Sequence, residues 1–255
     1  MKTYGLIGFP LSHSFSQKYF SEKFSKEKIT GCEFINFPLE NINGFPALLK
    51  ENPYICGLSI TIPYKQSIMN FLDELEDSAR EVGAVNCIKR EERSKGRWKL
   101  SGYNTDIFGF EQSLKPLLKE HHSHALVLGT GGAAKAVAYT LDRSNIKFSM
   151  VSRSTGHKPA SAGILSYADV TAAVLSSSTL IINTTPLGMF PKVNACPDLP
   201  YQHLTPHHFL YDLTYNPEET LFLKKGKEKG AQIKNGLEML HLQAEKAWEI
   251  WNSPT

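Results

Sequence analysis

His124-Ala-Leu-Val-Leu-Gly129-Thr130-Gly131-Gly132-Ala133-Ala134-Lys135-Ala136-Val137 is an apolar run that meets a glycine cluster and continues into helix-forming residues. That order predicts a strand, a tight turn and a helix. In a G-x-G-x-x-A arrangement, Gly129 permits the turn, Gly131 lets the backbone approach a pyrophosphate, and Ala134 leaves room for close helix packing. The N-terminus of the following helix is then a ready anion site. Flavin and methyl-donor sites share such turns, so the next strand has to decide. A dinucleotide site for NAD ends that strand in Asp or Glu, which bonds the ribose 2′-hydroxyl. Here Ser152-Arg153-Ser154 stands instead. A guanidinium flanked by hydroxyls suits a 2′-phosphate, which points to NADP.

Working outward, short apolar runs at residues 124–128, 147–151, 179–183 and 209–213 alternate with polar or helical connections, the rhythm of a parallel sheet. The first hundred residues repeat that rhythm, with strands expected at 3–8, 33–37 and 57–62 and helices at 16–28 and 42–52. Residues 91–97 are charged and contain Gly96, as an exposed turn between strands at 86–88 and 98–100 would be. The helix that Asp106 begins is expected to run to about residue 120. A final helix over 237–251 carries Leu237, Leu240, Ala244, Ala247, Trp248 and Trp251 at helical spacing. Gln243 lies at the edge of that stripe and needs a polar partner. The expected fold is therefore α/β with two domains. An N-terminal α/β domain with a mostly parallel sheet spans residues 1–103 and regains the last helix, 237–255. A Rossmann-like domain spans 104–236, and an active-site cleft is expected between them.

The 255 residues include 28 basic and 25 acidic side chains, and the net charge of +3 is too small to neutralise many phosphates of a nucleic acid. No apolar run approaches the roughly 20 residues that span a bilayer. The start of the chain is too short an apolar patch for a signal peptide, so a cytoplasmic protein is expected. Cys32, Cys56, Cys87 and Cys196 are scattered, which predicts reduced, mostly buried thiols. His121, His122 and His124, and then His203, His207 and His208, lack the spacing of a zinc site and read as solvated loop residues, with no metal implied.

Directly after the first strand comes Gly8-Phe-Pro-Leu-Ser-His-Ser14-Phe-Ser16. Ser16 suits the N-cap of the next helix, and the hydroxyls together suit a carboxylate. This G-x-P-x-x-H-S-x-S stretch is followed by Ser59-Ile-Thr61-Ile-Pro63-Tyr-Lys65, Gly83-Ala-Val-Asn86, Asn104-Thr-Asp106 and Gly129-x-Gly131-Gly132-Ala133. In that order, over nearly the whole chain, the motifs resemble the shikimate dehydrogenase family.

The resemblance implies NADP-dependent interconversion of 3-dehydroshikimate and shikimate, on the route to chorismate and the aromatic amino acids. It implies a carboxylate site at Ser14 and Ser16, ring-hydroxyl contacts from Thr61, Lys65, Asn86, Asp106 and Gln243, and a catalytic pair in Lys65 and Asp106. On the cofactor side it implies Gly129, Thr130, Gly131, Gly132, Ala133, Ser152, Arg153, Ser154, Thr184, Thr185, Leu213, Gly236 and Met239, with Tyr215 near the substrate. The implied partners are small molecules only, and the assembly a monomer or homodimer. Gln17 replaces a common proline, and Tyr19-Phe20 replaces the usual His-Asn. A second arginine after Arg153 is missing, with His157 and Lys158 as the nearest substitutes. Relaxed use of quinate and NAD, or NADP sensing without turnover, are the competing expectations.

Overall fold

β1 (Lys2–Gly8) is buried along nearly its whole length, as a strand paired on both sides must be. It leads into α1 (Phe15–Lys26), β2 (Cys32–Pro38), α2 (Phe45–Glu51) and β3 (Ile55–Ile60). β1 pairs in parallel with both β2 and β3. Then β4 (Glu74–Leu75), α3 (Asp77–Val82), β5 (Cys87–Ser94) and β6 (Arg97–Tyr103) complete a sheet of order β2-β1-β3-β5-β6-β4, in which β5 is antiparallel to its neighbours. The structure is a computed structural model and describes residues 1–11, 15–94, 96–153 and 164–254.

The chain continues through α4 (Thr105–Leu114), β7 (His124–Leu128), α5 (Gly132–Arg143), β8 (Lys147–Ser152), β9 (Ile164–Ser166), α6 (Ala172–Ser177), β10 (Leu180–Asn183), β11 (Phe209–Asp212), α7 (Leu221–Lys227), β12 (Gln232–Lys234) and α8 (Leu237–Asn252). The second sheet has the order β12-β11-β10-β7-β8-β9, and its pairings are parallel. Two compact units result: Met1–Thr105 with Ala244–Thr255, and Asp106–Gln243.

Strand periodicity sorts the apolar side chains onto two faces in each unit. In the first, Tyr4 and Leu6 pack with Phe20, Phe24, Phe34, Ala247 and Trp251. Ile7, Leu58, Ile60 and Ile88 belong to the other cluster, over Phe45 and Ile68. Trp251 stacks on Tyr4 with ring centroids 5.1 Å apart and donates its indole N–H to the Ile88 carbonyl at 3.0 Å. Burying such a side chain contributes about 1.5–3 kcal/mol, which fixes the end of α8 on the first sheet. In the second unit Ala125, Val127, Leu180, Ile182 and Tyr211 face Phe110 and Met239. Leu126, Leu128, Ile181 and Leu210 face Phe222 and Leu223.

Four expectations are corrected. α4 stops at Leu114 and only a short 3-10 turn follows, because Pro116 cannot continue the helix. The 91–97 segment is mostly strand, since β5 runs to Ser94 and β6 begins at Arg97. His122 and His208 are each 3% exposed rather than solvated. Their ring nitrogens serve the backbone: His122 Nδ1 accepts from Lys119 N–H, and His208 bridges Thr205 N–H and the Leu175 carbonyl. Of the cysteines, Cys87 is buried and the other three are partly exposed.

Candidate active site

In the first sheet Ile7 lies opposite Ile60 on parallel strands, so the segments after Gly8 and after Ile60 leave from one edge. β5 starts at that edge and β6 ends there, with Cys87 opposite both Ser59 and Tyr103. Carboxyl ends of strands in open α/β sheets are where ligands collect. Here they gather the segments bearing Thr61, Lys65, Asn86 and Thr105.

Thr61 is half-buried; its N–H donates to the Ile7 carbonyl at 2.9 Å and its carbonyl accepts from Tyr64 N–H at 2.9 Å. Tyr64 is buried and its hydroxyl donates to the Leu39 carbonyl at 2.5 Å, which anchors the turn. Lys65 follows, half-buried, with its carbonyl accepting from Val85 N–H at 2.7 Å. The next residue, Asn86, is buried. Its Oδ1 accepts from Thr105 N–H at 2.7 Å, and its Nδ2 donates to Thr105 Oγ1 at 3.0 Å. Asn104 Nδ2 donates to the Ala84 carbonyl at 2.9 Å. Two amides thus fix the residues at the start of α4. Asp106, 7% exposed, stands in the first turn of that helix, where the helix dipole favours a carboxylate.

Ser16 is half-buried and lies inside the first turn of α1, since the helix begins at Phe15; it is therefore not the N-cap. Ser14 lies outside the described residues, as do Ser154, His157 and Lys158.

In the second sheet Leu128 is opposite Val151 and Asn183, and Asn183 is opposite Asp212. The glycine loop, Ser152-Arg153, Thr184-Thr185 and Leu213 therefore leave from one edge. Arg153 is exposed there and Ser152 half-buried. Gly129 adopts φ +112°, and a Cβ on it would lie 2.6 Å from Thr184 Oγ1. The fold itself requires that glycine. Gly131 is different, because φ −78° and ψ −173° are open to any residue and an added Cβ would meet nothing within 4 Å. Gly131 is also the N-cap of α5, so no side chain caps the first-turn N–H groups of Gly132 and Ala133. Bare N–H groups behind an uncluttered glycine fit a pyrophosphate. Thr130 is exposed in the same loop.

Thr184 donates both its N–H and its hydroxyl to the Leu128 carbonyl, at 3.0 and 2.6 Å. Thr185 donates its N–H and hydroxyl to Asn183 Oδ1, at 3.0 and 2.6 Å. Asn183 Nδ2 in turn donates to Asp212 Oδ1 at 3.0 Å, and Asp212 also accepts from Thr214 N–H at 3.0 Å and Thr220 Oγ1 at 2.6 Å. Burial pushes the Asp212 carboxyl up to about 6, against the pull of those hydrogen bonds. This hub ties the loops after β10 and β11 together. Its signal in the sequence is only that polar residues end two adjacent apolar strands.

Gly236 is buried against the Leu213 carbonyl, which leaves no space for a side chain. Leu213 is half-buried, and Met239 packs in the core beside Phe110 and Tyr211. Tyr215 is half-buried, and burial raises its phenol. Gln243 is half-buried and donates its Nε2 to the Leu240 carbonyl at 3.0 Å. Among the described residues no group of three His, Cys, Asp or Glu side chains is placed to hold a metal ion. No helix among them is long and apolar enough to cross a membrane.

A sequence profile of the shikimate dehydrogenase substrate binding domain matches residues 6–88. The chain is 40% identical over 260 residues to a shikimate dehydrogenase (NADP(+)) of Clostridium beijerinckii, covering 98% of this chain and 92% of that one. Shikimate dehydrogenase 1 of Peptoclostridium difficile superposes with a TM-score of 0.85 at 34% identity, over 98% of this chain and 92% of that chain. The shikimate 5-dehydrogenase of Thermus thermophilus, solved with NADP(H) and shikimate, gives a TM-score of 0.84 at 29% identity, over 99% and 94%.

Proposed function

The chain belongs to the shikimate dehydrogenase family, and from that premise we propose how its own residues divide the work. The reaction is the reversible, NADPH-dependent reduction of 3-dehydroshikimate to shikimate. When bound, the nicotinamide supplies the hydride. What remains for the protein is to hold the ring, stabilise charge on the carbonyl oxygen and deliver a proton to it.

Lys65 does the last two. Its ammonium stabilises the developing alkoxide and donates the proton, and in the oxidative direction the neutral amine takes that proton back. Asp106 accepts a hydrogen bond from a ring hydroxyl. Ser14 and Ser16 donate to the substrate carboxylate, while Thr61, Asn86, Tyr215 and Gln243 complete recognition of the ring. Gly129, Thr130, Gly131, Gly132 and Ala133 receive the pyrophosphate. Ser152, Arg153 and Ser154 receive the 2′-phosphate, Thr184 and Thr185 line the cofactor side, Leu213 lies between cofactor and substrate, and Gly236 and Met239 border the nicotinamide.

The observation that carries this assignment is a run of hydrogen bonds. Lys65 is bonded to Val85, the next residue Asn86 is bonded to Thr105, and Asp106 follows in the chain. A proton donor and a carboxylate thus come from one hydrogen-bonded frame. Its ligands are soluble metabolites, which accords with an enzyme acting in the cytoplasm as a monomer or homodimer.

The test is absorbance-monitored cofactor reduction with shikimate or quinate, each with NADP or NAD. Turnover with shikimate and NADP alone is expected. Turnover with quinate or NAD assigns the chain to a relaxed branch, and silence in all four despite NADPH binding overturns the catalytic reading.

A further inference from the structure

Ser16, Tyr19 and Lys23 follow one another at helical spacing along one face of α1. Both of the latter reach the same carboxylate on α8. The Tyr19 hydroxyl donates to Glu245 Oε1, and Lys23 Nζ donates to Glu245 Oε1 and Oε2 at 3.0 and 2.9 Å. The Lys23 side chain is only 8% exposed, and its ammonium also pairs with Glu27 at 2.8 Å. Burial pulls the Lys23 ammonium down, but the Glu245 and Glu27 carboxylates outweigh it and hold the group charged. Tyr19 is fixed from a second direction, because its ring stacks on Phe15 at 5.4 Å and lies edge-on to Phe20 at 5.3 Å.

A half-exposed carboxylate gripping two side chains of a neighbouring helix is more than either core needs. The aromatic cluster of Phe20, Phe24 and Trp251 already fastens α1 to α8. The clamp adds a definite rotation and axial position of α1, set one turn beyond Ser16. Directional hydrogen bonds fix such an alignment where apolar packing allows sliding.

We propose that Tyr19 and Glu245, with Lys23, are positioning residues for substrate binding, holding the Ser16 hydroxyl in register for the substrate carboxylate. This rests on the carboxylate-binding role given to Ser16 above. A hydroxyl displaced by an ångström loses a directional bond to an anion, which is worth about tenfold in affinity.

The test uses Tyr19→Phe, which keeps the ring packing, and Glu245→Gln, which keeps the shape. Each is assayed for KM toward shikimate and toward NADP, for kcat and for thermal midpoint, alone and in a Ser16→Ala background. The shikimate KM is expected to rise about tenfold in each. The NADP KM should stay within about twofold, and Tyr19→Phe should add nothing once Ser16 is gone. Unchanged shikimate KM in both variants overturns the proposal. So does a parallel change in both KM values and kcat, which is the mark of general loosening, or full additivity with Ser16→Ala. If Ser16→Ala alone leaves the shikimate KM unmoved, the role of Ser16 falls and the clamp's role falls with it. A normal Ser16 effect with unmoved clamp variants removes the clamp alone.

Discussion

Gly129 and Gly131 stand two residues apart in one loop, and alanine at each should fail in opposite ways. At Gly129 the new Cβ meets Thr184 Oγ1 at 2.6 Å and the backbone sits at φ +112°. Strain and overlap together cost about 3 kcal/mol. For a protein of this size that lowers Tm by roughly 6–12 °C. At Gly131 the Cβ meets nothing within 4 Å, and the backbone is one alanine adopts freely. Restricting the unfolded chain stabilises by about 0.4–1 kcal/mol, while exchanging glycine for alanine at the N-cap of α5 costs a similar amount, so the Tm of the ligand-free protein should stay within about 2–4 °C of wild type. The methyl group would nonetheless occupy the space assigned above to the pyrophosphate. Losing one charge-assisted backbone bond corresponds to about a 10–100-fold rise in the NADP KM. Melting curves without ligand and initial rates at varied NADP and fixed saturating shikimate give both quantities. A Gly131→Ala enzyme with wild-type NADP KM refutes the assignment of that space to the cofactor, and a Gly129→Ala enzyme with wild-type Tm refutes the strain argument.

Lys65→Ala should lower kcat by about 10²–10⁴-fold, as expected for loss of a proton donor; initial rates at saturating ligands check it. Asn86→Ala removes the hydrogen bonds to the buried Thr105 N–H and hydroxyl, which costs about 1–3 kcal/mol, so both Tm and kcat should fall. His122 is pushed down to about 4 by burial first and by the neighbouring His121, Lys119 and His208. Its neutral form belongs to the fold, so its contribution is intact above pH about 6.5 and is lost as pH falls toward 4, by about 3 kcal/mol in all. Denaturant melts across that window should show a slope that His122→Gln flattens. Asp212 runs the other way: with its carboxyl at about 6 in the fold, ionisation costs stability as pH rises from about 4 to 6. Asp212→Asn should therefore gain on the wild type between pH 5 and 8, and equal shifts at both pH values would count against a charged, desolvated Asp212.

The parts of the fold legible in the sequence are those with enough residues to show a period. β7 is read to its ends from His124 to Leu128, and α8 is read from the spacing of Ala244, Ala247 and Trp251. β4, with two residues, and β9 and β12, with three each, carry no period to read. Their pairing is decided by neighbouring strands. The burial of His122 and His208 escapes a reading of the sequence for a related reason. His121 and His207 are far apart in sequence, yet their rings lie 5.5 Å apart, and only the sheet brings those loops together. Motif order marks the loops that carry Lys65, Asp106 and Gly131, because each follows a strand or opens a helix.

What the motifs leave unsaid is how those loops are held, and both units use the same device. At the edge of the first sheet a buried amide, Asn86, grips the backbone and hydroxyl of Thr105. At the edge of the second, Asn183 grips Thr185 while Asp212 grips Asn183, Thr214 and Thr220. These groups are out of water, so each must keep its partners or cost the fold the full desolvation of an unpaired polar atom. Stability and function are therefore coupled at Asn86, Asn183 and Asp212, where losing a hydrogen bond both loosens the core and moves a loop. At Gly131 they are separable, since a Cβ added there would meet nothing within 4 Å. A residue whose removal lowers activity and leaves Tm alone belongs to the chemistry or to ligand contact, whereas one that lowers both holds the frame. Sorting substitutions on those two axes distinguishes the proposed catalytic residues from the buried polar residues that aim them.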